Sequence, residues 1–225
     1  MNTVHPGMKV ILFGATGMVG QGVLRECLVD PGVESVLSVG RSTTGQQHAK
    51  LREIVHDNFM DFSAIESELA GYDACFFCLG VSSVGMDPER YRHLTYDITM
   101  AAATTLAKLN PDMVFTYVTG RSTDSTEQGS VHWARVKGKT ENDLLALPFK
   151  AYMFRPGYIQ PMHGAKSRTP LYRALYVVLA PLYPLIRRIA PKAVTTTEQI
   201  GHAMLRVAKD GAPQKILDPT AINAL

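Results

Sequence analysis

A glycine-rich turn between an apolar run and a helical pattern constrains this chain most. Residues 8–14, MKVILFG, have the composition of a short buried strand, and residues 18–30 space their apolar positions as a helix does. The intervening GATGMVGQG places glycines at Gly14, Gly17 and Gly20. Side chains at these positions would keep backbone amides away from a diphosphate, which the positive end of the helix attracts. The pattern therefore predicts a dinucleotide-binding loop, with further contacts from Thr16, Met18 and Val19.

Apolar runs continue to alternate with helical patterns along most of the chain. Further strands are predicted at 33–41, 50–57, 73–80, 112–120 and 150–157, and further helices at 88–110, about 130–146 and 196–209. Apolar strands separated by helices indicate a parallel sheet that is covered on both faces, and right-handed crossovers make it doubly wound. We expect an α/β, mostly parallel, Rossmann-like domain over residues 1–225, with a small helical cap at about 158–195.

The residues that follow the predicted strands indicate which dinucleotide is bound. Arg41 follows the second strand, where NAD-binding proteins often carry an acidic residue. A guanidinium can pair with a 2′-phosphate, so this position favours NADP(H) over NAD(H), although a solvated loop arginine is the alternative. Asp61 and Phe62 are predicted to meet the adenine, and Leu79 and Gly80 to pass close to the cofactor.

Together these motifs resemble the short-chain dehydrogenase/reductase family, in its extended and atypical branch. The resemblance covers about residues 8–209, and it is carried by GATGMVGQG, Asp61 in MDFS, CLG, VKGKTEN, FRPG and EQIGHAML. It implies a Rossmann-type fold, a nicotinamide cofactor and a homodimer.

The resemblance also implies an active site on the helix after the fifth strand. In the family this helix carries Tyr-x-x-x-Lys, in which the tyrosine exchanges a proton with the substrate and the lysine binds ribose and lowers the tyrosine pKa. Lys137 matches the lysine, but Trp133 stands in place of the tyrosine. An indole N–H only donates, so the usual acid/base group is missing. The family's serine or threonine after the fifth strand corresponds to Thr119 or Ser122.

Other residues are candidates for the missing proton donor. Lysine serves as the acid in some members of the atypical branch, which makes Lys137 one candidate, and Tyr158 and His132 are two others. His132 and Trp133 are adjacent in the helix and cannot both face the nicotinamide, because neighbouring positions point about 100° apart. Trp133 and Tyr158 are predicted to line the substrate pocket, with simple packing as the alternative for the tryptophan.

Charge and hydropathy restrict the partners. The net charge is only +3 and no long basic run occurs, so nucleic acid is not expected. Residues 144–197 contain no Asp or Glu across 54 positions, but they contain eight Lys and Arg. This imbalance favours an anionic small-molecule substrate. The apolar segment 174–186 beside it also suggests peripheral membrane contact or a buried dimer surface, and a hydrophobic cap with ordinary basic edges is the plain alternative.

Cysteine usage and the chain start bear on location. The chain has three cysteines, and Cys75 and Cys78 fall in an apolar run where a core role is the simplest interpretation, so we predict no metal site and no disulfide framework. The start lacks a signal-peptide pattern, and we expect a cytoplasmic protein. Two functions remain open: an NADP(H)-dependent oxidoreductase or epimerase-like enzyme with altered acid/base groups, or a non-catalytic NADPH-binding sensor or scaffold.

Overall fold

The computed structural model describes residues 7–167 and 193–225, together with Tyr183 and Arg188 between them. Its strands are β1 Met8–Phe13, β2 Val33–Gly40, β3 Leu51–Val55, β4 Ala74–Phe77, β5 Val114–Val118, β6 Lys150–Phe154, β7 Tyr158–Gln160, β8 Val194–Thr196 and β9 Ile216–Leu217. The main sheet has the order β3-β2-β1-β4-β5-β6-β9, and all its neighbouring strands are parallel. The predicted doubly wound α/β fold is confirmed.

Helices connect these strands. They are α1 Met18–Val29, α2 Pro88–Arg92, α3 Ile98–Leu109, α4 His132–Leu145, α5 Thr197–Asp210 and α6 Pro219–Ala224, with a 3₁₀ turn at Ser63–Glu68. A π-helical turn, His93–Asp97, joins α2 to α3, so the helix predicted at 88–110 is continuous but irregular. Observed strands are shorter than predicted by a few residues, because the turn residues at their ends leave the sheet to shape the loops.

The core lies on both faces of the central strand. Val10 and Leu12 of β1 belong to the buried cluster that includes residues of α1 and α5. Ile11 and Phe13 belong to the opposite cluster, which includes α3. Successive strand residues point to opposite faces, so a strand covered on both sides is apolar throughout. This is why the central strand does not alternate apolar and polar residues, whereas the edge strand β3 contains Arg52 and Glu53.

Helix α5 packs closely against α1, the helix that follows the glycine loop. A Cβ added at Gly22 would lie 2.5 Å from the Cβ of Thr197, and one at Gly201 would lie 2.6 Å from the Cγ of Glu26. The predicted start of α5 is observed as a capping box. Thr196 Oγ1 accepts a hydrogen bond from the amide of Gln199 at 3.0 Å, and Gln199 Oε1 accepts one from the amide of Thr196 at 2.9 Å.

The region predicted as a helical cap is only partly described. Its described edges form a two-stranded parallel pair, β7 with β8, which the sequence did not predict. The apolar segment 174–186 lies outside the described residues except for Tyr183. In the part of the chain that is described, no helix has the length and apolar character needed to cross a membrane.

Candidate functional site

The glycine loop is shaped by contacts that leave no room for side chains. Gly14 has φ 79°, and a Cβ there would lie 2.7 Å from the carbonyl carbon of Cys78 and from the amide nitrogen of Leu79. A Cβ at Gly20 would lie 2.0 Å from the carbonyl oxygen of Gly14. The loop therefore packs directly on the end of β4 and on the first turn of α1.

The first turn of α1 has no side-chain cap. Gly17 is the N-cap residue, and its amide donates to the carbonyl oxygen of Gly14 at 2.9 Å. Helix α4 also begins without one, at Val131, whereas α2, α5 and α6 begin with the capping side chains of Asp87, Thr196 and Asp218. The leading amides of α1 are consequently available to an anion at the positive end of the helix.

A cavity opens at the carboxyl ends of β1, β2 and β4, in front of this helix start. Its lining includes Thr16 and Gly17 from the loop, Arg41 after β2, and Leu79 and Gly80 after β4. A second cavity shares Arg41 and Leu79 and adds Asp57, Asn58 and Ile98. The structure thus brings together most of the residues predicted to bind the dinucleotide. Met18 and Val19 are the first two residues of α1, and Val19 also packs against the core.

Phe62, which was predicted to meet the adenine, does not line either cavity. Phe62 is 3% exposed, and its ring packs edge-on against Phe13 with centroids 6.0 Å apart. Phe59 is the ring that lines both cavities. The segment NFMDF offers two phenylalanines three residues apart. Both rings pack into the core, and the sequence alone does not say which of them also reaches the cavities.

Asp61 has a local role next to these rings. Its carboxylate accepts a hydrogen bond from the amide of Ser63 at 2.9 Å, which favours the charged form and lowers the pKa of this carboxyl. Its carbonyl oxygen lies 2.9 Å from Nε2 of the buried His56. Asp61 therefore organises the loop after β3 and is not among the residues that line the two cavities.

Lys137 and Trp133 lie one turn apart on α4. The Lys137 Nζ donates to the carbonyl oxygen of Val118 at 3.4 Å and lies 5.8 Å from the ring centroid of Tyr117. Burial lowers the pKa of this amine to about 8, and the charge of Glu141 opposes that shift. Trp133 is partly buried, and its spacing of four residues places it on the same face of α4 as Lys137.

His132 faces a different neighbour. Its Nε2 lies 3.1 Å from the carbonyl oxygen of Pro88, and its ring contacts the ring of Tyr91 with centroids 6.3 Å apart. These contacts direct His132 toward α2. His132 therefore does not stand in for the missing phenol beside Lys137.

Thr119 belongs to a buried ionic network. Its hydroxyl donates to Glu141 Oε1 at 2.5 Å and lies 3.2 Å from the carbonyl oxygen of Phe154. Glu141 is fully buried and receives Arg155 Nε at 3.1 and 3.0 Å on its two oxygens. The motifs VKGKTEN and FRPG thus hold each other through Glu141 and Arg155. The sequence identified both motifs but not the ion pair of Glu141 with Arg155. The available signal was Glu141 itself, a single acidic residue on the otherwise uncharged buried face of α4.

The two hydroxyl candidates are therefore in different environments. Thr119 is engaged with the buried Glu141, whereas Ser122 is exposed in the following turn. That turn rests on α4: the amide of Asp124 donates to the carbonyl of Ala134 at 3.1 Å, and a Cβ at Gly138 would lie 1.7 Å from the carbonyl oxygen of Asp124. The glycine of VKGKTEN is required for this close approach.

Tyr158 lies on β7 and is partly buried. Its hydroxyl donates to Gln160 Oε1 at 2.8 Å, and burial raises its pKa above the ordinary tyrosine value. The Tyr158 phenol is therefore neutral at physiological pH, so it can donate a hydrogen bond or a proton but does not serve as a general base. Tyr117 is unsuited to the role too, because it is fully enclosed and burial raises its pKa far more.

We expect the Lys137 amine to titrate near pH 8. Because folding disfavours its charged form, Lys137 lowers the free energy of unfolding at pH values below about 8. This destabilisation disappears as the pH rises toward 10.5, the ordinary lysine pKa. Competitive acetylation followed by site-resolved mass spectrometry should show an inflection near 8 for Lys137. Lys139, two residues on, is the control, because its hydrogen bond to Asp143 raises its pKa. Equal inflections for the two lysines would contradict the prediction.

Comparison with known proteins supports the fold-level interpretation. No protein-family model matches the chain. A short-chain dehydrogenase family protein from Francisella tularensis superimposes with a TM-score of 0.63 at 15% identity, covering 91% of this chain and 92% of that one. The chain has the fold of the short-chain dehydrogenase/reductase family.

Two further solved structures show the same fold with ligands. The Bordetella bronchiseptica enzyme WbmF, in complex with NAD⁺, matches with a TM-score of 0.67 at 16% identity, covering 97% of this chain and 77% of that one. A UDP-N-acetylglucosamine 4-epimerase from Methanobrevibacter ruminantium, in complex with UDP-N-acetylmuramic acid, gives 0.67 at 15% identity over 94% and 76%. The resemblance inferred from the sequence is confirmed at the level of the fold.

A sequence relative corrects the predicted location. Protein FMP52-2 of Scheffersomyces stipitis, named a mitochondrial protein, is 29% identical over 215 residues, covering 92% of this chain and 90% of the relative. Further relatives from Scheffersomyces, Meyerozyma, Aspergillus and Emericella species are also named mitochondrial. The predicted cytoplasmic location is therefore wrong. It rested on cysteine usage and on the absence of a secretory pattern, neither of which distinguishes the cytoplasm from another reducing compartment.

Proposed function

We propose that the protein binds NADP(H) and acts as an oxidoreductase or epimerase-like enzyme with Trp133 in place of the usual tyrosine. The observation that carries this proposal is the cavity at the ends of β1, β2 and β4, where the glycine loop and the uncapped start of α1 converge. Solved structures of this fold that contain NAD⁺ support a nicotinamide cofactor.

The described residues fit such a cofactor. The pyrophosphate would lie against the leading amides of α1, which the close backbone packing at Gly14 and Gly20 holds in place. The adenine would occupy the second cavity, whose lining offers the ring of Phe59 and the side chain of Asn58. Lys137 would hold the nicotinamide ribose. When bound, the cofactor supplies a hydride donor or acceptor.

NADP(H) is proposed over NAD(H) because of Arg41. This arginine is exposed at the rim shared by both cavities, directly after β2, where no acidic residue stands to accept ribose hydroxyls. Ser42 lines the first cavity beside it and adds a hydroxyl donor. A guanidinium and a hydroxyl together suit a 2′-phosphate.

Replacing Arg41 with alanine should therefore reduce the selectivity for NADPH over NADH. We expect Arg41→Ala to weaken NADPH binding by roughly 10- to 100-fold, the range for losing a charge-assisted contact, and to leave NADH binding within about twofold. Calorimetric titration of both dinucleotides measures this. Arg121, exposed in the turn after β5, provides a control variant of equal charge change. Parallel losses for NADPH and NADH would overturn the assignment.

The catalytic step is proposed to use Lys137 as the proton donor. An amine with a pKa of about 8 is largely protonated near neutral pH and releases its proton more readily than an ordinary lysine. Trp133, one turn earlier on the same helix, would form a wall of the substrate pocket, and Tyr158 would border it from β7. Thr119 or Ser122 would steady the substrate oxygen, and the exposure of Ser122 makes it the more accessible hydroxyl.

Restoring the phenol tests this arrangement. We expect Trp133→Tyr to raise NADPH oxidation by roughly 10- to 100-fold with carbonyl substrates, because a positioned general acid contributes on the order of 10²–10⁴-fold and a phenol fills the space of an indole less tightly. Trp133→Phe is the matched control, since it has the ring without the hydroxyl. Equal rates for the two variants would show that position 133 does not face the reacting oxygen.

A non-catalytic NADPH sensor or scaffold is the second candidate. The observation in its favour is that the indole replaces the phenol while the hydroxyl of Thr119 is held by the buried Glu141. Tight NADPH binding without oxidation across aldehydes, ketones and quinones would favour this function. Turnover that depends on Lys137 would favour the enzyme.

The remaining proposals concern partners and organisation. The excess of basic residues in 144–197 favours an anionic small molecule as substrate. A solved structure of the same fold that contains a UDP-linked sugar acid is consistent with such a substrate.

We propose one domain over 1–225 with a substrate-side cap at about 158–195, and a homodimer as the assembled form. Peripheral membrane contact through 174–186 is a further proposal, based on the apolar character of that segment. The relatives' names support a mitochondrial protein.

A further inference from the structure

Gln21 joins two parts of the chain that are far apart in sequence. It lies on the first turn of α1, where its own amide donates to the carbonyl of Gly17 at 2.8 Å. Its side-chain Nε2 donates to the carbonyl oxygen of Thr16 at 2.9 Å, inside the glycine loop. The same Nε2 donates to the carbonyl oxygen of Lys166 at 3.0 Å, and Oε1 accepts from the amide of Lys166 at 3.1 Å.

This carboxamide holds Lys166 as a neighbouring strand would. Both backbone groups of one residue are bonded by one side chain, so the contact fixes the position and the orientation of the peptide at residue 166. The chain arrives there through a tight reversal, in which His163 has φ 52° and Gly164 has φ 80°. We call residues 161–167 the entry turn, because they follow β7 in the first part of the proposed cap.

The other end of the entry turn is anchored on α5. The amide of Met162 donates to Thr197 Oγ1 at 3.0 Å, and His163 Nε2 lies 2.8 Å from Glu198 Oε2. Both partners belong to the first turn of α5, which packs against α1 at Gly22. The entry turn is therefore attached at one end to a fixed helix and at the other to a side chain that also bonds the glycine loop.

We infer that Gln21 is a positioning residue that makes the entry turn respond to a dinucleotide in the glycine loop. The inference rests on the proposed function. A pyrophosphate bound at the start of α1 restrains the carbonyl of Thr16 and the first turn of the helix, and Gln21 is bonded to both. Restraining Gln21 holds the peptide of Lys166 in place, so that occupancy of the cofactor site sets the position of the chain entering the cap.

Hydrogen exchange measured by mass spectrometry tests this directly, with saturating NADPH and two peptides monitored. In the wild-type protein, NADPH should slow exchange in the glycine-loop peptide and, by roughly tenfold, in the entry-turn peptide, as expected for one or two stabilised hydrogen bonds. In Gln21→Met, which keeps side-chain length and helix propensity but has no amide, the glycine loop should still be protected by NADPH. The entry turn should no longer respond.

A control variant separates coupling from general loosening. His163→Ala removes the contact between the entry turn and Glu198 of α5, and it leaves Gln21 intact. We expect faster exchange of the entry turn without ligand, and an NADPH-dependent slowing that is still within about twofold of wild type.

The outcomes distinguish the two levels of the proposal. If NADPH protects the glycine loop but leaves the wild-type entry turn unchanged, or protects that turn equally in Gln21→Met, the coupling role is overturned and the proposed function stands. If NADPH protects neither peptide in the folded wild-type protein, the proposed function is overturned, and the role of Gln21 with it.

Discussion

Gly14→Ala is expected to weaken NADPH binding by at least about 100-fold. A Cβ at this position would lie 2.7 Å from the backbone of Cys78 and Leu79, and the residue has φ 79°. Strain of roughly 2–4 kcal/mol follows from the overpacking and the left-handed backbone. The loop relieves this strain by moving off the end of β4, which misplaces the amides that face the pyrophosphate. Calorimetric titration with NADPH measures the loss.

Gly71→Ala is the matched control for this substitution. Gly71 has φ 80°, but a Cβ there would meet nothing within 4 Å, so the variant carries the same conformational cost without the collision. We expect a modest loss of thermal stability and NADPH affinity within about twofold of wild type. Similar affinities for the Gly14 and Gly71 variants would show that the approach to β4 does not shape a binding site.

The second large effect is expected at the buried pair of Glu141 and Arg155. Arg155→Met leaves the fully buried carboxylate of Glu141 without its cation, although the hydroxyl of Thr119 remains. Removing one partner of a buried pair costs about 3–5 kcal/mol. For a chain of this length the melting temperature should fall by about 6–20 °C. The side chain of Lys137 should also change position, because Glu141 lies one turn further along the same helix.

Two further variants show whether burial is the cause. Arg206→Met removes the cation of the exposed pair Arg206–Asp210, in which Nε and Oδ2 are 3.0 Å apart and the side chains are 63% and 54% exposed. This control should cost less than about 1 kcal/mol. Adding Glu141→Leu to Arg155→Met removes the unpaired charge and should recover most of the lost stability. A large loss at Arg206, or no recovery in the double variant, would contradict the explanation. Thermal denaturation suffices for all four proteins.

Much of the fold was predictable because local patterns and the tertiary structure agree. The central strands β1 and β4 are mostly apolar since both faces are covered, and the glycine loop lies where strand and helix patterns meet. β9 escaped prediction because Ile216–Leu217 is only two residues long and has no pattern of its own. β7 and β8 are three residues each and are paired with each other outside the main sheet.

The candidate site was predictable where backbone geometry dictates residue type. Gly14 and Arg41 directly follow strands and Gly17 begins helix α1, and the structure groups all three around one cavity. Side-chain placement was not predictable: Phe59 and Phe62 both pack into the core, and Phe59 is the one that also lines the cavity. The roles of Gln21 and Glu141 were missed for a related reason, since both depend on partners distant in sequence.

Isothermal titration calorimetry of the wild-type protein with NADPH and NADH tests most directly whether the amides at the start of α1 bind a dinucleotide. We predict one binding site per chain, with NADPH bound at least about tenfold more tightly than NADH through Arg41. A protein that is demonstrably folded, yet shows no binding of either dinucleotide, would contradict the central claim.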